Sequence, residues 1–272
     1  MTLLTDRYQR PIDYLRVSIT DRCDLRCIYC TPLGGSPKLD HDDILSYEEF
    51  LHLIQVAVDM GITKVRLTGG EPLVRKGVTD FCRRLAGLPG LQSLSLTTNG
   101  VMLEELAQDL YSAGIRRINI SLDTLQPQKF LHITRRDEFH RVWRGIQAAE
   151  NVGFNPIKIN VVVMRGINDD EVLELAKLTL ERPYHIRFIE FMGVNDDSNW
   201  LHQHYVSADE ILDNLRNLDP LEQITSQHTN GPARHFRWPD AKGVVGIISP
   251  ISHHFCPCLL YTSDAADDYV WV

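Results

Sequence analysis

Three cysteines lie close together in the run Cys23-Asp-Leu-Arg-Cys27-Ile-Tyr-Cys30. The C-x3-C-x2-C spacing suits a [4Fe–4S] cube in which three irons each take a thiolate and the fourth has no protein ligand. An iron without a protein ligand is open to chemistry. A disulfide framework fits poorly, because an odd set cannot pair fully. A structural zinc ion wants four ligands, usually as two pairs, so it would need a distant histidine to complete this set. That reading stays open at this point.

A second group of residues implies an anion. Successive side chains of a strand point to opposite faces. Leu15, Val17 and Ile19 therefore share one face, and Arg16, Ser18 and Thr20 the other. In the same way Val65 and Leu67 oppose Arg66 and Thr68, Ile118 and Ile120 oppose Asn119 and Ser121, and Ile157, Ile159 and Val161 oppose Lys158 and Asn160. A doubly wound sheet buries both faces and reads as nearly continuous aliphatics. One polar face points instead to the lumen of an incompletely filled (β/α) barrel. Arg16, Arg66 and Lys158 would lie there, and burying three cations without a counter-charge is costly. A small anionic ligand among them is the expectation.

The elements that must position these groups alternate regularly. Strand patterns fall at 14–20, 63–68, 93–98, 116–121, 157–163 and 186–191. Helical patterns fall at 46–60, 75–87, 102–113, 137–153 and 169–182, with an irregular connection near 125–134. Strand and helix in alternation predict βα units and a parallel sheet, here a partial barrel of six units. From 193 the pattern loosens into one helix near 207–217, and the runs ARHFRW and GVVGIIS are read as two strands extending the sheet.

Composition excludes several classes. The chain of 272 residues carries a net charge of −8 with no long basic run, which argues against a duplex nucleic acid partner. No apolar stretch reaches the length of a membrane span, and residues 1–14 lack the apolar core of a secretory signal. The expected location is the cytoplasm, a setting that suits thiolate–metal chemistry. Cys82 sits in a helical pattern and reads as core. His253 and His254 are adjacent on one run and face opposite ways, so they are not expected to share an ion.

Joined to Gly69-Gly70-Glu71-Pro72 just after a strand, the cysteine triplet resembles the radical S-adenosylmethionine (SAM) superfamily. The resemblance implies that the open iron chelates SAM and that one electron from the reduced cluster cleaves it to a 5′-deoxyadenosyl radical, the barrel aiming the radical. Gly69 and Gly70, lacking Cβ, would let the backbone approach SAM. Over DYLRVSITDRC from Asp13, KVRLTGGEP from Lys64, LTTNG from Leu96, SLD from Ser121, KINV from Lys158, RFIEFM from Arg187 and SPISHHFC from Ser249, the chain is similar to the GTP 3′,8-cyclases of molybdenum cofactor biosynthesis. By that resemblance Cys23, Cys27 and Cys30 hold the SAM cluster. Tyr29, Gly70, Ser121 and Met192 would contact SAM, and Arg16, Arg66, Thr97 and Lys158 would contact GTP. The implied reaction converts GTP to 3′,8-cyclo-7,8-dihydro-GTP. A cyclic pyranopterin monophosphate synthase would act next, a reducing electron donor would feed the cluster, and a homodimer is the family habit.

The family carries a second [4Fe–4S] cluster on a C-x2-C pair and a later cysteine. Here Cys256 is in register, but Cys258 comes one residue too early and no cysteine follows it. The expected division is a radical SAM partial barrel over 1–192, a truncated C-terminal region over 193–256 that begins the second-cluster segment, and a non-native tail over 257–272. SAM cleavage is then expected to be kept and cyclisation lost or reduced. The competing readings are another radical SAM enzyme with an auxiliary cluster, and a non-catalytic metal-binding protein.

Overall fold

Strict alternation of apolar and polar residues makes strands that bury one face. Six form in sequence order: β1 (Tyr14–Ser18), β2 (Lys64–Thr68), β3 (Ser93–Thr98), β4 (Arg117–Ser121), β5 (Ile157–Val163) and β6 (His185–Glu190). Each pairs in parallel with the next, with Arg16 opposite Arg66 and Asn119 opposite Lys158. In this computed structural model the described residues are 4–6, 9–32, 34–35, 38–40, 43–192, 198–224 and 233–253. Strand β5 shows the cause most clearly: Ile157, Ile159, Val161 and Val163 are buried while Lys158, Asn160 and Val162 are only partly so.

Helices α1 (Tyr47–Asp59), α2 (Val78–Ala86), α3 (Leu103–Ser112), α4 (Pro127–Thr134), α5 (Phe139–Val152) and α6 (Val172–Glu181) follow the strands, and α7 (Ser198–His204) and α8 (Ala208–Arg216) come after β6. Helix α1 begins at a capping box, in which the Ser46 hydroxyl accepts from the Glu49 amide and the Glu49 carboxylate accepts from the Ser46 amide. Helices α3 and α5 pack on each other at Gly145, where a Cβ would lie 2.6 Å from the Gly100 carbonyl oxygen. The aliphatic sides of the strands and these helices form one continuous core.

Three further strands, β7 (Glu222–Ile224), β8 (Arg234–Arg237) and β9 (Val244–Ile248), complete the sheet in the order β1-β2-β3-β4-β5-β6-β9-β8-β7. Strand β9 is parallel to β6, whereas β8 pairs antiparallel with β9 and β7 antiparallel with β8. The result is an open parallel sheet of the partial-barrel kind with a β extension, as the alternation predicts. The region read as irregular near 125–134 is instead the helix α4, started by Pro127 in its first turn and held by buried Phe130 and Ile133. No helix among the described residues is long and apolar enough to cross a membrane.

Candidate functional site

Functional side chains of a parallel βα sheet gather where the strands end. The cysteine loop leaves β1 at that edge and is fixed by main-chain pairing on two sides. On one side the Gly70 amide donates to the Thr20 carbonyl at 2.6 Å and the Glu71 amide to the Arg22 carbonyl at 2.7 Å. On the other, the Arg26 and Ile28 amides donate to the carbonyls of Thr134 and Ile133, at the end of α4, each at 2.9 Å. The Arg135 guanidinium reaches the Thr31 carbonyl, Arg136 reaches that of Asp24, and Arg26 caps those of Cys23 and Leu25.

The glycine pair also has a packing role beside the SAM contact expected of it. A Cβ on Gly70 would lie 2.4 Å from the Arg22 carbonyl oxygen, and one on Gly69 would lie 2.6 Å from that of Thr20. The missing side chains let the β2 exit and the cysteine loop touch backbone to backbone. Glu71 is buried behind them, accepting from the Leu73 amide, the Thr98 hydroxyl and the Asn99 amide. Burial pushes its carboxyl up to about 7, against the pull of those donors.

Burial also raises the thiols of Cys27 and Cys23, and lifts Cys30 to about 11. Cys27 and Cys30 also sense Asp123 and neighbouring cysteines, and Cys23 senses Asp24 and Glu71. A metal bound among them would supply positive charge and favour the thiolates. Tyr29, between the second and third cysteines, donates its hydroxyl to Asp123 Oδ2 at 2.7 Å, while Asp123 Oδ1 accepts from the Val162 amide. Ser121 ends β4 nearby. Met192 follows β6 half-exposed, and its neighbour Phe191 packs in one cluster with Ile28 and Tyr29.

On the polar face, Thr97, Asn119, Lys158 and His185 stand in one row across β3 to β6, with Arg66 and Ser95 in the row below. Arg16, expected to be buried with the others, is exposed at the β1 edge, where its strand has a neighbour on one side only. Burial and the charges of Arg187, Arg66 and Arg117 pull Lys158 down to about 7. Burial and Arg66 lower Arg187 to about 10. His185 and His235 are both held near 4 by burial and these cations. Among the described residues no carboxylate forms an ion pair with Arg16, Arg66, Lys158 or Arg187. Arg187 Nε, His185 Nδ1 and His235 Nε2 are buried without a hydrogen-bond partner. Sequence reasoning did not single out Arg187, His185 or His235. Extending the strand read at 186–191 back by one residue would have placed His185 and Arg187 together on the polar face.

The chain matches the family model "Radical SAM superfamily" over residues 17–179 and "Molybdenum Cofactor Synthesis C" over 184–258. It is 50% identical over 253 residues to the GTP 3′,8-cyclase of Moorella thermoacetica, covering 93% of this chain and 78% of that one. It is 51% identical over 253 residues to the GTP 3′,8-cyclase of Geobacter sulfurreducens, covering 93% and 77%. The chain belongs to the GTP 3′,8-cyclase family of radical SAM enzymes. Its fold is shared more widely. Streptococcus suis SuiB bound to S-adenosylmethionine superposes with a TM-score of 0.62 at 19% identity, over 76% of this chain and 46% of SuiB. Coproporphyrinogen III oxidase from Escherichia coli does so at 0.51 and 13%, over 75% and 50%.

Radical SAM enzymes carry a [4Fe–4S] cluster with SAM, and the donor set here fits one. Three thiols on one pinned loop offer one ligand to each of three irons. Among the described residues no three Cys, His, Asp or Glu side chains are gathered as the ligands of a single metal ion. Cys82 is wholly buried in α2, as core. His253 pairs with Asp209 at 3.0 Å. Cys256, Cys258 and His254 lie outside the described residues.

Proposed function

We propose that this chain is a GTP 3′,8-cyclase, converting GTP to 3′,8-cyclo-7,8-dihydro-GTP for the synthesis of the molybdenum cofactor. In this reading Cys23, Cys27 and Cys30 hold the cluster, and Tyr29, Gly70, Ser121 and Met192 surround SAM. Arg16, Arg66, Thr97 and Lys158 bind GTP, joined by Arg187. The cluster and SAM, when bound, supply the one-electron chemistry and the hydrogen-abstracting radical. The chain's own residues bind, orient and exclude.

The observation that carries the proposal is the group of partly buried cations, Arg66, Lys158 and Arg187, without carboxylate partners on the polar face. Such a group is costly in an empty protein, and a triphosphate restores the missing charge through charge-assisted hydrogen bonds. Anchoring three phosphates fixes the ribose and base by rigid attachment, and holding reactants in place is worth several orders of magnitude in rate. Arg16, at the sheet edge, is the most exposed of the four contacts and can meet the nucleotide first. Arg66, stacked within 5.4 Å of the Tyr14 ring and bonded to Ser95, is the more rigid anchor.

The reading extends to a reductant that feeds the cluster, to a downstream synthase that consumes the product, and to a homodimer. The second cluster would begin at Cys256, although Cys256-Pro257-Cys258 departs from the family's spacing.

The test is an anaerobic assay of the reconstituted, reduced chain with SAM and GTP, quantifying 5′-deoxyadenosine and cyclised nucleotide in one sample. The expected result is GTP-stimulated 5′-deoxyadenosine, with cyclised nucleotide in smaller amount because of the altered spacing at Cys258. Iron-loaded chain that binds SAM but gives neither product would overturn the proposal.

A further inference from the structure

Strand β3 ends at Thr98, and the next residue, Asn99, is 8% exposed at the point where the cysteine loop, the Gly70–Glu71 turn and the β3 exit meet. Its main-chain amide donates to Glu71 Oε2 at 2.6 Å. Its side-chain oxygen accepts from the Val101 amide at 3.0 Å. That second bond fixes which way the side chain faces, because the oxygen must point at the Val101 donor. The amino group is thereby aimed at the cysteine loop. It lies 2.6 Å from Asp24 Oδ1 and 3.8 Å from Cys23 Sγ. A carboxamide has two N–H bonds and here finds two acceptors.

We propose that Asn99 is a positioning residue for the cluster, donating one N–H to Asp24 and the other to the Cys23 sulfur, and so raising the potential at which the cluster accepts its electron. This rests on the reading that Cys23, Cys27 and Cys30 hold a [4Fe–4S] cluster. A hydrogen bond to a ligating sulfur stabilises the more negative, reduced state and moves the potential up. The step concerned is a one-electron reduction of the cluster by an external low-potential donor, with no bond made or broken at Asn99. The bond from Asn99 to Asp24 works in the same direction. Its carboxylate oxygen stands 3.9 Å from Cys23 Sγ, and its negative charge, left unbonded, would oppose reduction. The Asn99 amide therefore adds a donor to the sulfur and neutralises part of a nearby charge. Glu71, held by the Thr98 hydroxyl and the Leu73 amide, keeps the Asn99 backbone at this place.

The experiment is a potentiometric titration of the anaerobically reconstituted full chain, followed by electron paramagnetic resonance of the reduced signal that changes on adding SAM. Asn99→Leu is expected to lower the one-electron reduction constant about tenfold, which corresponds to ~59 mV. Iron and sulfide content and thermal midpoint are recorded alongside. A loaded Asn99→Leu cluster with the parent potential would overturn the proposal. Should that variant fail to load, the parent protein decides. Labelled with ¹⁵N-asparagine, it is expected to show a weak nitrogen coupling to the reduced cluster in pulsed measurements, and no coupling would overturn the proposal. A parent chain that takes up no iron or sulfide is a distinct result, and it would sink the cyclase reading together with this one.

Discussion

At the scale of single residues, the tightest constraint in the site is Gly70. Any side chain there meets the Arg22 carbonyl oxygen at 2.4 Å and its carbon at 2.7 Å, and both are backbone atoms that cannot swing aside. Gly70→Ala is expected to destabilise the protein by about 3 kcal/mol, the upper end of ordinary overpacking, and to reduce iron uptake with it. Urea unfolding and iron content would show both, and a variant with the parent midpoint would contradict this account. The cysteines, the glycine pair and the cations Arg66 and Lys158 were legible in the sequence because spacing and alternation announce them. The role of the glycines was not. Which backbone a glycine lies against depends on the loop that passes beside it, and here Gly69 meets Thr20 and Gly70 meets Arg22, in the exit of β1 and remote in sequence. Glu71 and Asn99 were likewise read only as parts of motifs, since their partners lie on three separate loops.

Elements add a second layer of control. Helix α4 was missed because eight residues with two β-branched members and a left-handed Arg135 at the end carry little helical pattern. Yet its C-terminus holds one side of the cysteine loop. Replacing both Arg135 and Arg136 by alanine is expected to leave the barrel within about 1 kcal/mol of the parent, as for partly exposed hydrogen bonds. Cluster bleaching in air should become faster, and absorbance decay at matched iron loading measures it. Equal decay rates would show that the main-chain pairing alone holds the loop. A similar junction lies at the end of β6. Buried Glu190 accepts from the amides of Ala208, Ile251 and Ser252, and from the hydroxyls of Ser252 and Tyr205, so it joins β6, the start of α8 and the segment that leads toward Cys256. Glu190→Gln places an N–H against donors. The expected loss is about 2–3 kcal/mol, the range for hydrogen bonds to a charged group, with faster hydrogen exchange at Ile251 and Ser252. Strand β9 was legible as a strand, but its place between β6 and β8 was not, because a local pattern does not state where a strand inserts. Strand β7, three largely exposed residues, carried no signal.

For the molecule as a whole, the polar face makes stability depend on pH and on anions together. The folded state holds Lys158 near 7 and His185 and His235 near 4, whereas the unfolded chain keeps them at 10.5 and 6.5. Unfolding therefore takes up protons between about pH 4 and 6.5 through the histidines, and between about 7 and 10.5 through Lys158. Stability contributed by these groups rises with pH across both windows. A bound polyanion favours the charged forms and reverses that slope. Urea midpoints with and without inorganic tripolyphosphate are expected to diverge most toward low pH, with proton uptake on binding near pH 7 seen by calorimetry in buffers of different ionisation heat. Binding that releases protons would refute the assignment of the anion to this face. The pairings that fix the cysteine loop, from Gly70 and Glu71 to Thr20 and Arg22 and from Arg26 and Ile28 to Thr134 and Ile133, are all made by backbone and involve no thiol. A zinc finger gains its shape from the ion, whereas the contacts that shape this loop come from the sheet and α4. Chelating iron from the loaded protein is therefore expected to empty the site and leave amide exchange at Arg26, Ile28, Gly70 and Glu71 slow, and exchange as fast as in unfolded chain would contradict it.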